Sequence, residues 1–183
     1  MAKDYPALNE RLTRFIGEQH IFFTATSAAG ARINLSPRST DLFRVLNDNA
    51  ACYLDRTGSG NETAAHLKAD GRMTIMFCAV AGPPLILRLY GQGRVIARGS
   101  DEYASLLSVE FDDTEPLGAR QITRIDFDLV KTSCGYGVPL MGYDGERDQM
   151  DRWAEAKGPE GIRDYWADKN MVSQDGLPTG FKP

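Results

Sequence analysis

The sequence predicts a mainly β protein with added helices, an α+β chain whose strands close into an antiparallel barrel. Three observations carry this. Short β-branched, aromatic or alternating runs follow one another from residue 21 to residue 130. Turn signals, not helices, separate most of them. A single helical segment interrupts about six such strands, and other helical patterns flank them. That order suits a closed antiparallel barrel better than an alternating strand–helix sheet.

Leu8, Leu12, Phe15 and Ile16 recur at helical spacing and predict a helix over 9–18. Ile21-Phe22-Phe23-Thr24-Ala25-Thr26 predicts a strand, and Ala28-Ala29-Gly30 a hairpin turn. Arg32-Ile33-Asn34-Leu35-Ser36 alternates polar and apolar, as a strand with one buried face does. Ser36-Pro37 is expected to end that strand, because proline lacks the donor a sheet interior needs. A short strand over 42–46 and an apolar one over 51–54 follow. A Gly-rich turn then opens a helix over about 60–70, which Gly71 ends as a left-handed cap. The run 73–80 is nearly all apolar and reads as a strand buried on both faces. Residues 85–97 form a long strand whose glycines bend the sheet, and 121–130 alternates again. A helix over 101–109, with Asp101 at its positive end, lies between those two strands. Beyond the turn-rich link 134–139, helices over 147–157 and 160–170 are expected on the surface, broken by Gly158-Pro159. The tail 172–183 reads as an extended arm with little to bury.

With 183 residues, 42% apolar and 25% charged, the chain suits one domain with a sizeable core. The barrel is assigned to 1–140, and 141–183 to helices and an arm packed on the same domain. A net charge of -4 gives no reason to expect nucleic acid or an anionic membrane. No apolar run is long enough for a membrane span. The start lacks the apolar segment of a secretory signal, and the three cysteines are odd in number and widely spaced. A reduced, cytoplasmic setting is the expectation.

The most informative stretch joins Tyr53, Leu54 and Asp55 to Gly58-Ser59-Gly60-Asn61-Glu62-Thr63. Ser59 and Glu62 have the spacing of a capping box. Gly58 and Gly60 would let the backbone approach a ligand closely. Such a helix start offers free N–H groups and a positive dipole end to a phosphate. Thr63 stands where a dinucleotide fingerprint has its third glycine, so the turn does not read as a Rossmann site. Arg32, Arg38 and Arg88 are forked donors that would matter if they converged on this turn. No metal centre is expected: the histidines, His20 and His66, lie far apart, and no Cys-x-x-Cys pair exists. No Gly-x-Ser-x-Gly elbow is present, and no catalytic residue is assigned.

In their order, these pieces resemble the pyridoxamine 5'-phosphate oxidase-like family of FMN-binding split barrels. The resemblance rests on the strands at 22–26 and 32–37, on Tyr53-Leu54-Asp55, on the Gly-Ser-Gly-Asn-Glu-Thr turn with Ala64-Ala65-His66-Leu67, and on Arg72-Met73-Thr74-Ile75-Met76-Phe77. Leu87-Arg88-Leu89-Tyr90-Gly91 and Ser133-Cys134-Gly135-Tyr136-Gly137-Val138-Pro139 add to it. It implies a six-stranded split barrel and a homodimer with two FMN sites at the subunit interface. Arg32, Asn34, Leu35, Ser36, Pro37 and Arg38 would then line the flavin ring and ribityl chain. Tyr53, Leu54, Asp55, Gly58, Ser59, Gly60, Asn61, Glu62 and Thr63 would hold the ribityl chain and phosphate. Arg88 would join the cofactor contacts, and Tyr136 could stack on the substrate side. The chain lacks the Ser-Arg-Lys set that true pyridoxamine phosphate oxidases carry at the helix start, and their C-terminal substrate segment. The implied activity is therefore an FMN-dependent oxidoreductase acting on another small molecule, with an electron donor not readable from the sequence. F420 or haem are alternative ligands, and binding without turnover is the alternative role.

Overall fold

The computed structural model describes residues 2–183. Eight strands form one antiparallel sheet: β1 (Lys3–Tyr5), β2 (Ile21–Thr26), β3 (Asn34–Ser39), β4 (Phe43–Asn47), β5 (Ala50–Arg56), β6 (Arg72–Cys78), β7 (Ile86–Ala97) and β8 (Ala119–Ser133). The spatial order is β3-β2-β6-β7-β8-β5-β4, with β1 added to β8. The free edges, β3 and β4, are joined through the single 3-10 turn Thr40–Leu42, so the barrel is split between them. Four helices accompany the sheet: α1 (Glu10–Gly17), α2 (Glu62–Ala69), α3 (Asp101–Phe111) and α4 (Gln149–Lys169).

Inside the barrel, Phe22, Ile75, Phe77, Leu87, Leu89 and Val130 meet Leu12, Phe15 and Ile16 of α1, which plugs one end. Asn9 starts α1 by accepting from the Leu12 N–H, the donor a helix start leaves free. On the other side of β5 and β8, Cys52, Leu54 and Ile122 pack under Tyr103 and Phe111 of α3. Burial pushes the Cys52 thiol up to about 12, so it acts as a small core residue rather than a nucleophile.

Four expectations change in the folded chain. The strand count rises from six to eight, the shortest being β1, whose three residues carry no local signal. β3 runs through Pro37 to Ser39, because Pro37 sits on an edge strand, paired with Phe23 on one side only. β6 alternates buried Met73, Ile75 and Phe77 with half-buried Thr74 and Met76; its outer face is not covered. The tail is not a loose arm. Phe181 packs edge-on against Trp166, 5.4 Å between ring centroids, and with Ala154 and Ile162 forms a third apolar cluster. The C-terminal helical stretch, by contrast, is broken where its Gly-Pro pair implies: α4 joins two helical halves across Gly158, whose φ of 65° is a glycine conformation.

In β7, Gly91 is the position that only glycine can fill. A Cβ there would lie 2.1 Å from the Asp126 carbonyl oxygen, where the β7–β8 register shifts.

Candidate functional site

The β5–α2 turn is built as a tight strand-to-helix corner, but not with the expected cap. The residue before α2 is Asn61, and no side chain caps the helix. Ser59 is exposed, and the Glu62 carboxylate accepts instead from the Gln174 N–H of the tail, at 3.1 Å. The Ser59–Glu62 capping box is therefore absent, because Glu62 has been taken up by a distant segment.

The turn is held from beneath by a buried polar cluster. The Asp55 carboxylate is fully buried and accepts from Arg38 Nη1, from Arg120 Nε at 2.8 Å and from Gln121 Nε2 at 2.8 Å. Arg120 Nη1 also donates to the Gly60 carbonyl at 2.8 Å and to Asn170 Oδ1 at 2.7 Å. Asn170 donates to the Gly58 carbonyl, and Gln121 to Asn61 Oδ1. Trp166 Nε1 donates to Thr57 Oγ1, which donates in turn to the Gly118 carbonyl. Burial alone would raise the Asp55 pKa, but the adjacent Arg120 and Arg38 outweigh it and hold the carboxyl below the usual carboxylate range. Arg38 lies over the Tyr53 ring, 4.7 Å from its centroid, and burial pushes the Tyr53 hydroxyl pKa up.

A second arrangement lies along β3. The two-residue period of a strand puts Asn34, Ser36 and Arg38 on one face, with Arg32 just before them in the same phase. Asn34 Nδ2 donates to Thr63 Oγ1 at 3.1 Å and toward Thr26 Oγ1 at 3.3 Å, and Ser36 Oγ donates to Asn34 Oδ1. Thr26 Oγ1 pairs with Nδ1 of the buried His66, whose Nε2 has no partner. Arg32 ends the row; its guanidinium pairs with the Asp175 carboxylate, which also accepts from the Arg32 backbone N–H at 2.8 Å. That N–H is the leading reason Asp175 sits below the ordinary carboxylate range.

Arg32, Asn34, Ser36, Arg38, Glu62 and Thr63 thus come together along β3 and the first turn of α2. Tyr53, Asp55 and Asn61 lie buried behind them, at 2% exposure or less, whereas Leu54 points to the other side of β5 into the cluster under α3. Leu35 points the other way and is 64% exposed, and Pro37 shares its face. Arg88 and Tyr136 lie elsewhere: Arg88 Nη1 donates to Ser133 Oγ on the β7–β8 end, and Tyr136 is 81% exposed in the turn after β8. Sequence reasoning missed Arg120, Gln121, Asn170 and Asp175, since nothing local marks them. They matter through partners 50 to 143 positions away. His66, placed on the central helix by the sequence and not expected to bind a metal, is packed in an α2 whose residues 63–67 are all buried.

A groove of about 650 Å³ opens on the outer sheet face, lined by Thr26, Ser27 and Ile33 on one side and by Arg72, Tyr90, Gln92 and Asp128 on the other. Among the described residues no helix is long and apolar enough to cross a membrane, and no three His, Cys, Asp or Glu side chains cluster as a metal site.

In comparisons with known proteins, a sequence model described as pyridoxamine 5'-phosphate oxidase matches residues 8–134. The pyridoxamine 5'-phosphate oxidase family protein ustO of Aspergillus flavus is 34% identical over 190 residues, covering 95% of this chain and 76% of that protein. Among solved structures, HupZ of Group A Streptococcus superposes with a TM-score of 0.56 at 16% identity, over 74% of this chain and 99% of its own. HutZ, the haem storage protein of Vibrio cholerae, gives a TM-score of 0.51 at 17% identity, over 67% of this chain and 92% of its own. The two structural likenesses establish a shared fold, whereas the sequence match spans most of the barrel and carries the classification: the chain belongs to the pyridoxamine 5'-phosphate oxidase family.

Proposed function

We propose that this protein binds FMN along the polar face of β3 and works as an FMN-dependent oxidoreductase on a small molecule. The observation that carries the reading is that row and its two ends. At one end stand Arg32 and, joined to the row through Asn34 and Thr63, the first turn of α2, which no side chain caps; a guanidinium and a helix start suit a phosphate. Between the ends, Asn34, Ser36 and Thr63 offer hydroxyls and an amide to a polyol. At the other end, Arg38 and Arg120 share one carboxylate, Asp55, so this end keeps a surplus positive charge. Arg38 is also the member of that cluster that reaches the surface, its side chain 20% exposed. A cation there suits a ring system that becomes anionic on reduction.

When bound, FMN supplies the hydride chemistry. The chain's part is to grip, orient and polarise. Arg32 and the α2 start hold the anion, Asn34 and Ser36 fix the register, and Asp55 aims Arg38 while Tyr53 supports its flat face. No side chain on the row other than the arginines is ionisable, so the row itself carries no acid or base for neutral pH. The departures from true pyridoxamine phosphate oxidases at the α2 start argue for a different substrate.

A homodimer follows from the same reading. Ile33 and Leu35, 78% and 64% exposed on the free edge β3, leave an apolar face that a second copy would cover. Arg88 and Tyr136, remote from the row of their own chain, would complete a partner's site.

Titration of the purified chain with FMN, riboflavin and haemin tests the reading. FMN should bind at least about tenfold more tightly than riboflavin, the difference being the phosphate contact. The bound flavin should bleach with NADH or NADPH. Equal affinity for riboflavin and FMN would remove the phosphate site. A Soret band with no flavin uptake would favour haem instead, with His20, exposed and stacked on Tyr143, as the accessible imidazole, since His66 is buried. Tight flavin binding with no reduction by any donor would favour a binding role without turnover.

A further inference from the structure

The tail forms a small hairpin. Val172 bridges to Pro178, the Ser173 N–H donates to the Leu177 carbonyl at 2.9 Å, and the Leu177 N–H donates to Ser173 Oγ at 3.0 Å. Its base is fixed on both sides. Asn170 is tied to Gly58 and Arg120, Thr179 Oγ1 donates to the Asn170 carbonyl at 2.9 Å, and Phe181 is packed on Trp166. The tip, turned by Gly176 at a φ of 82°, reaches back over the polar row. What joins the tip to the barrel is of another kind: the Asp175–Arg32 pair and the Gln174 N–H donating to Glu62.

The first contact sets the Asp175 carboxylate on Arg32, and the second ties the hairpin to Glu62, the first residue of α2, a helix that no side chain caps. Asp175 therefore takes up the Arg32 guanidinium and backbone N–H, donors that a ligand's anion would otherwise engage. The Arg32 guanidinium is 74% exposed while Asp175 is 11% exposed, so an incoming anion can approach the arginine from solvent. An ion pair exposed on one side contributes little, whereas a phosphate brings more charge and more acceptor oxygens to the same donors.

We propose that the 172–178 hairpin is a latch: Asp175 occupies the Arg32 donors, and a phosphate-bearing ligand enters by displacing it and lifting the tip off Arg32 and Glu62. The latch rests on the FMN reading for its natural ligand, but its mechanics rest on the hairpin alone. The fixed base makes the movement a local swing of residues 173–177, with the Trp166–Phe181 cluster left in place. The chemistry recognised is a phosphate monoester; an uncharged analogue gains nothing from the displacement.

The test uses the full-length chain and its Asp175→Ala variant, each checked for an unchanged melting transition. FMN affinity, read by flavin fluorescence, should tighten about tenfold in Asp175→Ala, and riboflavin affinity should change less than twofold. FMN binding that is unchanged or weaker in the variant overturns the latch. If neither chain takes up flavin, the cofactor reading fails, and inorganic phosphate decides the latch separately. Millimolar phosphate should then speed hydrogen exchange in the 172–178 peptide of the wild-type chain and leave the 179–183 peptide unchanged. Exchange that phosphate does not alter overturns it.

Discussion

Arg32, just before the edge strand β3, and Arg38, within it, are held in opposite ways. Arg38 meets an aspartate with no solvent exposure, and that aspartate is shared with Arg120 and Gln121. Arg32 meets an aspartate at the tip of a surface hairpin and leaves most of its own guanidinium in water. The same pairing of residue types therefore serves two purposes. Where both partners are desolvated, removing one strands the other, and the pair locks the architecture. Where one partner stays in water, exchange is cheap, and the pair can yield to a ligand.

The comparison can be broken most forcefully at Asp55. Asp55→Ala leaves Arg38 and Arg120 buried without their carboxylate and should cost about 3–5 kcal/mol, read from the urea midpoint. A loss under about 1 kcal/mol would mean that water already reaches the cluster. Acid should report the same group. Asp55 has a folded pKa below its unfolded value, so its contribution is fully present above the ordinary carboxylate range. It is lost as the pH falls through the lowered folded value, and Asp55→Asn should flatten that acid limb.

Phe181→Ala tests whether the hairpin's base belongs to the fixed part. Truncating a ring that is 9% exposed and packed on Trp166 should cost about 3 kcal/mol, at the lower end for buried aromatics. A negligible cost would make the whole tail mobile, not the tip alone. The smallest effect on stability is expected at Arg32. Arg32→Ala should leave the melting temperature within experimental scatter, yet weaken FMN toward the affinity of riboflavin. A large fall in stability from that change would put both arginines in one class and erase the distinction.

Much of the fold was legible because it depends on local periodicity. The alternation around Asn34, the apolar run into Tyr53 and the Gly71 stop each appear as the pattern implies, with Gly71 at a φ of 88°. The polar row was legible only in part: strand parity groups Asn34 with Ser36, but Arg38 joins them because β3 runs on past Pro37, and the sequence set Leu35 and Pro37 beside them. Pro37 misled because the rule against proline applies to paired strands, and only the sheet order shows that β3 is an edge. The Ser59–Glu62 spacing misled because a side chain at a helix start can be claimed by any donor that packs nearby, here Gln174.

What this sequence determined unaided was the kind of chain: strands with one buried face, a tight corner into a short helix, and a cationic polar strand beside it. Those follow from nearest neighbours, whose side-chain periods and turn chemistry act over a few residues. Which carboxylate each arginine meets was decided only by tertiary structure. Arg38 is balanced by Asp55 of β5, Asp55 is fixed by Arg120 of β8, and Arg32 is covered by Asp175 of the tail. No local rule specifies such pairings, because their energy depends on how far water is excluded once the elements have closed together.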